Sequence, residues 1–206
     1  MKIHVFGNSH VWIFNGDEEH FPPRKQVLPH FLTYHLGPTT AWSWTEKYLP
    51  QVQQLIRKHR IPKSSKIMFV VGEVDCRWHL PFQAKNHGRD VEDVVRECMD
   101  RYFESFKKMT AQGFEMYAWG THPTTTAGHC DDPQGPIFGT VQERNRISVI
   151  WNQMLKDKCK ANGIKYVSIY RHMVDENNIT KMEYMRDYCH MANNCIPLIL
   201  KEFGLC

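Results

Sequence analysis

Four short apolar runs in this chain each end on a glycine, and that repeated join limits the fold more than any other feature. The runs are residues 2–6 (KIHVF), 31–36 (FLTYHL, the weakest), 66–71 (KIMFVV) and 114–119 (FEMYAW), leading into Gly7, Gly37, Gly72 and Gly120. A fifth run, residues 164–169 (IKYVSI), follows the last long helical stretch. Continuous runs of this kind, rich in β-branched and aromatic residues, suit strands buried on both faces of a parallel sheet. Between them, residues 44–59, 90–112 and 141–161 carry helical periodicity and stop near Pro62, Gly113 and Gly163. Residues 194–203 predict a last helix. In the second helix Val91, Val94, Val95, Cys98, Met99, Tyr102, Phe103 and Phe106 recur at spacings of three and four, which makes one side core. Ile147, Ile150, Trp151, Met154 and Leu155 repeat the device in the third, whose cations, Arg144 among them, read as a solvated face. The alternation predicts an α/β fold in one domain over residues 1–206.

Composition narrows the function classes. The 206 residues are 42% hydrophobic and 23% charged with a formal charge of +4, and no basic tract of the kind that follows a phosphate backbone is present. A nucleic-acid partner is not expected. No apolar stretch approaches the roughly 18 residues that cross a bilayer, and the first residues read as a strand, not a signal peptide, so neither a membrane span nor export is expected. Seven cysteines, an odd number without a CxxC pair, fit reduced thiols and a cytoplasmic setting. No P-loop or GxGxxG follows a strand, so no nucleotide cofactor is expected. Residues 129–132 (HCDD) and the grouping of His190 with Cys189 and Cys195 come nearest to a metal set, yet lack zinc-site spacing, and none is expected.

Ligands of open parallel sheets bind outside the carboxyl ends of the strands. The residues there are Gly7-Asn8-Ser9-His10, Gly37-Pro38-Thr39-Thr40, Gly72-Glu73-Val74-Asp75-Cys76-Arg77 and Gly120-Thr121-His122-Pro123. Glycine at each end lets backbone N–H groups turn toward an electron-rich group. Near the far terminus, Asp187 stands three residues before His190. At that spacing a carboxylate can hold one ring nitrogen and leave the other to take a proton from a hydroxyl, and Ser9 supplies the hydroxyl. Alone, such a pair also describes a helix cap; its place after the last strand, with Ser9 after the first, gives it weight. Other residues keep two readings. Asp75 either lines the pocket and holds Arg77 or fixes its own turn. His10 touches substrate or is an exposed helix-start residue. Trp78 and His79 form a sugar platform or a packed loop anchor. Residues 121–140 are a lid or a surface loop.

These blocks resemble those of the SGNH (GDSL-type) esterases and acyl hydrolases. FGNS at residues 6–9 resembles the first block, with its nucleophilic serine at Ser9 and Asn8 where Asp is more usual. Gly37 in HLGPTTAW resembles the second, whose glycine offers an N–H to an oxyanion, and DYCH at residues 187–190 resembles the last, in which Asp187 orients His190. The third block departs: where the family has GxND, this chain has Gly72-Glu73-Val74-Asp75, with Val74 in the asparagine's place. The longer string GEVDCRWH resembles a branch associated with glycan and polysaccharide modification. The resemblance implies a flavodoxin-like three-layer α/β/α sandwich around a mainly parallel five-stranded sheet. It further implies a serine esterase or O-acyl (acetyl) transferase for an acylated carbohydrate or small ester. Ser9, His190 and Asp187 would be catalytic, and Gly37, Gly72, Glu73, Asp75, Arg77, His79 and His122 would surround oxyanion and substrate. Losing one side-chain oxyanion donor typically costs about 10²–10³ in turnover. The Ser9 and Gly37 N–H groups remain, with Arg77 a further donor if turned inward. Glu73 is expected to turn away, pair with a base such as Arg77, or bind substrate hydroxyls. Val74 keeps open a non-catalytic glycan-binding or assembly module, and the fold alone leaves room for group transfer without a Ser9 intermediate.

Overall fold

The computed structural model describes residues 2–125 and 137–205. At its centre lie five parallel strands, β1 (Ile3–Gly7), β2 (Phe31–His35), β3 (Lys66–Val70), β4 (Glu115–Trp119) and β5 (Lys165–Val167), in the order β2-β1-β3-β4-β5. Register places Gly7 beside both His35 and Val70, so the first three strands end level at one rim. The chain leaves β1 toward β2 and then returns past it to β3. The gap beyond β1 and β3 is therefore the switch point at which such sheets take ligands.

Helices α1 (Leu49–Lys58), α2 (Leu80–Asn86), α3 (Val91–Ala111) and α4 (Val141–Ala161) contribute to one core, where Trp44, Phe69, Tyr102, Phe106 and Trp151 are fully buried. The other core lies under the 3-10 turn Ser9–Asn15 and helix α5 (Ile196–Glu202), around Phe14, Phe31, Met68 and Trp119. A sheet covered on both faces is the expected three-layer sandwich. Full burial of one such large side chain contributes roughly 1.5–3 kcal/mol.

Helices α3 and α4 form where their periodicity places them, started by Asp90 and by a Thr140–Glu143 capping box. The helix predicted over residues 44–59 is divided: a wide π turn, Trp44–Tyr48, precedes α1. The same device, unforeseen from periodicity, occurs at Asp75–His79 before α2. In both, proline is the second residue of the helix that follows. Pro50 and Pro81 lack an N–H, and their rings crowd the carbonyl four residues back, so the preceding turn opens to an i→i−5 bond. Strand β5 is shorter than predicted because it ends where the Ser168 hydroxyl accepts the Tyr170 N–H at 3.2 Å. The helix predicted over residues 194–203 begins as a 3-10 turn, Asn193–Cys195.

Arg144, read as part of a solvated face, is buried: Nε donates to Thr124 Oγ1 at 3.0 Å and Nη2 to the Thr125 carbonyl at 2.7 Å. Of the lid predicted over residues 121–140, residues 126–136, with the HCDD run, lie outside the described ones; Thr121 and His122 are buried. Cys76, Cys98, Cys159, Cys189 and Cys195 are buried free thiols. Among the described residues no helix is long and apolar enough to cross a membrane.

Candidate active site

A Cβ on Gly7 would lie 2.1 Å from the Val70 carbonyl oxygen, so only glycine lets the end of β1 close onto β3 and set the next residues between the two strands. Asn8 then caps the 3-10 turn through His10 N–H at 3.2 Å, while its amide donates to the Thr39 carbonyl at 3.3 Å and ties the turn to the loop after β2. Ser9 is half-buried. Its hydroxyl donates to His190 Nε2 at 2.7 Å, and His190 Nδ1–H donates to Asp187 Oδ2 at 2.8 Å. The other Asp187 oxygen accepts the Cys189 and His190 N–H groups at 2.8 and 2.7 Å. Burial opposes ionisation of Asp187, but the His190 bond and the two N–H groups outweigh it and hold the carboxyl well below the usual range. The residues 181 positions apart in sequence thus form one hydrogen-bonded chain.

Gly37 has φ +78°, a conformation that excludes most side chains although the space around it is open, and it directs the backbone of the loop after β2. Asp75 anchors that loop, accepting Ala41 N–H at 2.7 Å and Trp42 N–H at 3.4 Å. It does not hold Arg77, and it fixes a neighbouring turn instead of its own. Gly72, at φ +114°, has the Trp151 indole 3.0 Å from the place a Cβ would take, so it packs the turn after β3 and adds no side chain to the rim. His79 lies against Trp42, on the loop after β2, with its Nδ1 3.5 Å from Asp75, and so anchors that loop; Trp78 packs on Phe82, one turn further along its own helical run.

Glu73 does pair with a base. One oxygen accepts Arg77 Nε at 2.7 Å and the other accepts His10 Nε2–H at 2.9 Å, all three side chains being buried. Burial alone would raise the Glu73 pKa, but the Arg77 charge and the His10 bond bring it far below the ordinary carboxylate value. His10 is therefore not an exposed helix-start residue. Its ring packs 4.6 Å from His122 and 5.1 Å from His190, burial lowers its pKa, and its Nδ1 has no partner among the described residues. His122, expected beside substrate, is buried too: its Nε2–H donates to the Cys189 carbonyl at 2.7 Å, bracing the DYCH segment from behind, and burial pushes its pKa down to about 3.

Sequence reasoning missed the rings beside His190. In a 3-10 turn residues three apart eclipse, so Trp12 shares the side of Ser9, a signal that was available. Its ring lies 5.8 Å from His190, and Phe21 lies 4.8 Å from it. Among the described residues, two groups bring metal-ligand atoms within 4.8 Å of one another. In the first (Asp187, Cys189 and His190, with Asp187 where Cys195 was expected), Asp187 and His190 are already hydrogen-bonded to each other; in the second (Asp17, Glu19 and His20), Asp17 accepts backbone N–H groups and the His20 ring, and Glu19 pairs with Lys25.

The sequence matches no protein-family model and no curated protein. Its fold has clear relatives among solved structures. A GDSL-like lipase from Bacteroides thetaiotaomicron aligns over 98% of this chain and 86% of its own, at TM-score 0.61 and 13% identity. The acetyl xylan esterase AlAXEase aligns over 99% and 98%, at 0.59 and 14%. A member of the lipolytic G-D-S-L family from Veillonella parvula aligns over 98% and 95%, at 0.60 and 12%. The architecture is thus a three-layer α/β/α sandwich on a parallel sheet. Within that class it is the fold of the GDSL-type, or SGNH, hydrolases.

Proposed function

We propose that the protein is an ester hydrolase or acyltransferase that works through Ser9, His190 and Asp187. The observation that carries this reading is the unbroken chain of hydrogen bonds from the Ser9 hydroxyl to the Asp187 carboxylate, at 2.7 and 2.8 Å. Nδ1–H held by an ionised carboxylate fixes the tautomer in which Nε2 carries a lone pair, and that lone pair faces the hydroxyl. His190 takes the Ser9 proton as Ser9 Oγ bonds to the ester carbonyl carbon. The tetrahedral intermediate expels the alcohol, which leaves with the proton from His190. Water or a sugar hydroxyl, deprotonated by His190 in turn, then releases the acyl group.

The Ser9 and Gly37 N–H groups are the proposed oxyanion donors; neither has an intramolecular acceptor among the described residues. Arg77 Nε is committed to Glu73. An acetyl ester of a carbohydrate is the proposed substrate class. The test is turnover of p-nitrophenyl acetate and of acetylated sugars by the native chain and by Ser9→Ala. The proposal expects turnover that the substitution removes. Turnover that survives it points away from Ser9. Val74, in the place of an oxyanion asparagine, favours one second reading, a glycan-binding module without catalysis; sugar binding by a native chain with no turnover of any ester would select it.

A further inference from the structure

Trp12, Phe21 and Arg186 build a wall beside His190 that the proton-transfer chemistry does not use. The Trp12 ring runs nearly parallel to the His190 ring, at 19° and 5.8 Å. Phe21 meets both edge to face, 4.8 Å from His190 and 4.9 Å from Trp12, and His35 closes on Trp12 at 5.0 Å. The Arg186 guanidinium lies over the Phe21 ring at 4.5 Å. Its backbone N–H donates to the His190 carbonyl at 2.8 Å, across a narrow turn closed by the Met185 and Met191 bridge. Arg186 is exposed and has no carboxylate partner among the described residues.

Phe21 remains 37% exposed, unusual for a large aromatic side chain, and its position is built in advance. The Asp17 carboxylate accepts Arg24 N–H at 2.8 Å, Lys25 N–H at 3.3 Å and His20 Nδ1–H at 3.2 Å. The Gln26 amide donates to the Phe14 and Leu28 carbonyls at 2.8 and 3.0 Å. A loop held at so many points presents its ring without the entropic cost of ordering it on binding.

We propose that Trp12, Phe21 and Arg186 bind the part of the ester that does not react, and that this part is a sugar ring bearing a carboxylate. The inference rests on Ser9 acting as the nucleophile, since that places the reacting carbonyl next to the wall. Flat aromatic faces suit the C–H face of a sugar ring. A guanidinium stacked on a ring and free of a carboxylate pairs with a planar carboxylate through two parallel N–H bonds, and one such cation matches one negative charge.

The test compares kcat/KM for the mono-O-acetyl derivatives of methyl glucuronoside and methyl glucoside, which differ in the carboxylate. The native protein is expected to prefer the glucuronoside about tenfold or more, and the preference weakens as salt is added. Arg186→Gln brings the two substrates near parity and Arg186→Lys restores part of the difference. Equal rates in the native protein, or a preference that survives Arg186→Gln, overturn the proposal. If neither sugar ester turns over, p-nitrophenyl acetate and its dependence on Ser9 decide the Ser9 reading separately, and the wall is read by binding alone. NMR titration of Ser9→Ala with methyl glucuronoside and methyl glucoside is expected to show tighter, Arg186-dependent binding of the charged sugar. Equal binding, or none, overturns the proposal by itself.

Discussion

Two carboxylate–imidazole pairs of nearly equal length stand one ring apart in this site. Asp187 and His190 are joined at 2.8 Å and Glu73 and His10 at 2.9 Å. The first pair is half-buried, and its second ring nitrogen meets the Ser9 hydroxyl. The second is sealed, its carboxylate is shared with Arg77, and its remaining nitrogen has no partner among the described residues. One chemical unit thus stands in two different surroundings. Open to the rim and aimed at a hydroxyl, it can move a proton; enclosed and tied to a guanidinium, it fixes the position of a neighbouring ring.

The largest expected effect tests the first pair. His190→Ala should lower kcat by about 10⁴-fold or more, and Asp187→Asn by about 10⁴-fold, with circular dichroism unchanged. If either variant keeps most of its activity while His10→Gln loses it, the two roles are reversed. The second pair should answer in stability. Removing one member of a buried ion pair typically costs about 3–5 kcal/mol, because the partner charge is left uncompensated. Glu73→Gln should therefore unfold at markedly lower urea, and Glu73→Leu combined with Arg77→Met should cost less than the sum of the single changes. Additive losses would remove the coupling.

A smaller effect comes from His122. Burial holds its folded pKa at about 3, whereas an unfolded imidazole protonates near ~6.5. Between those values the unfolded chain binds the proton and the folded chain does not, so stability falls as pH falls, by roughly 1.4 kcal/mol per pH unit. His10, lowered by burial, adds to the same slope. Glu73 and Asp187 are depressed carboxylates, whose contribution is intact above ~4.3 and lost only below it. Unfolding free energies from urea titrations at pH 6.5 and pH 5 should differ by about 2 kcal/mol from His122 alone, and His122→Asn should flatten the difference; an unchanged slope would contradict the burial account. The smallest effect is Asp75→Asn. It keeps one acceptor for the Ala41 and Trp42 N–H groups and should cost about 1 kcal/mol.

The central strands were readable because β1, β3 and β4 are buried on both faces, which forces continuous apolar runs, and α3 and α4 were readable because each shows one face to the sheet. The π turn before α2 was not, since seven helical residues with Pro81 second carry too little periodicity. Ser9, Asp187 and His190 could be picked out because each lies in a short block with its own local logic. His10 was misread because the group that allows its burial, Glu73, is 63 residues away. Arg144 was misread for the same reason, its acceptors lying some twenty residues earlier. Buried polar partners are non-local and leave no periodic trace. Phe21 and Arg186 are exposed, yet their contact escapes the sequence in the same way, because they stand on an aperiodic loop and a tight turn far apart in sequence.

The contrast between the pairs rests on Ser9 being the hydroxyl that the open one activates. Reaction with a fluorophosphonate, followed by peptide mass spectrometry, reads this directly. The account predicts one adduct, on the peptide containing Ser9, absent in Ser9→Ala and formed far more slowly in His190→Ala than in His10→Gln. An adduct on another residue, or on Ser9 at an undiminished rate without His190, would contradict it.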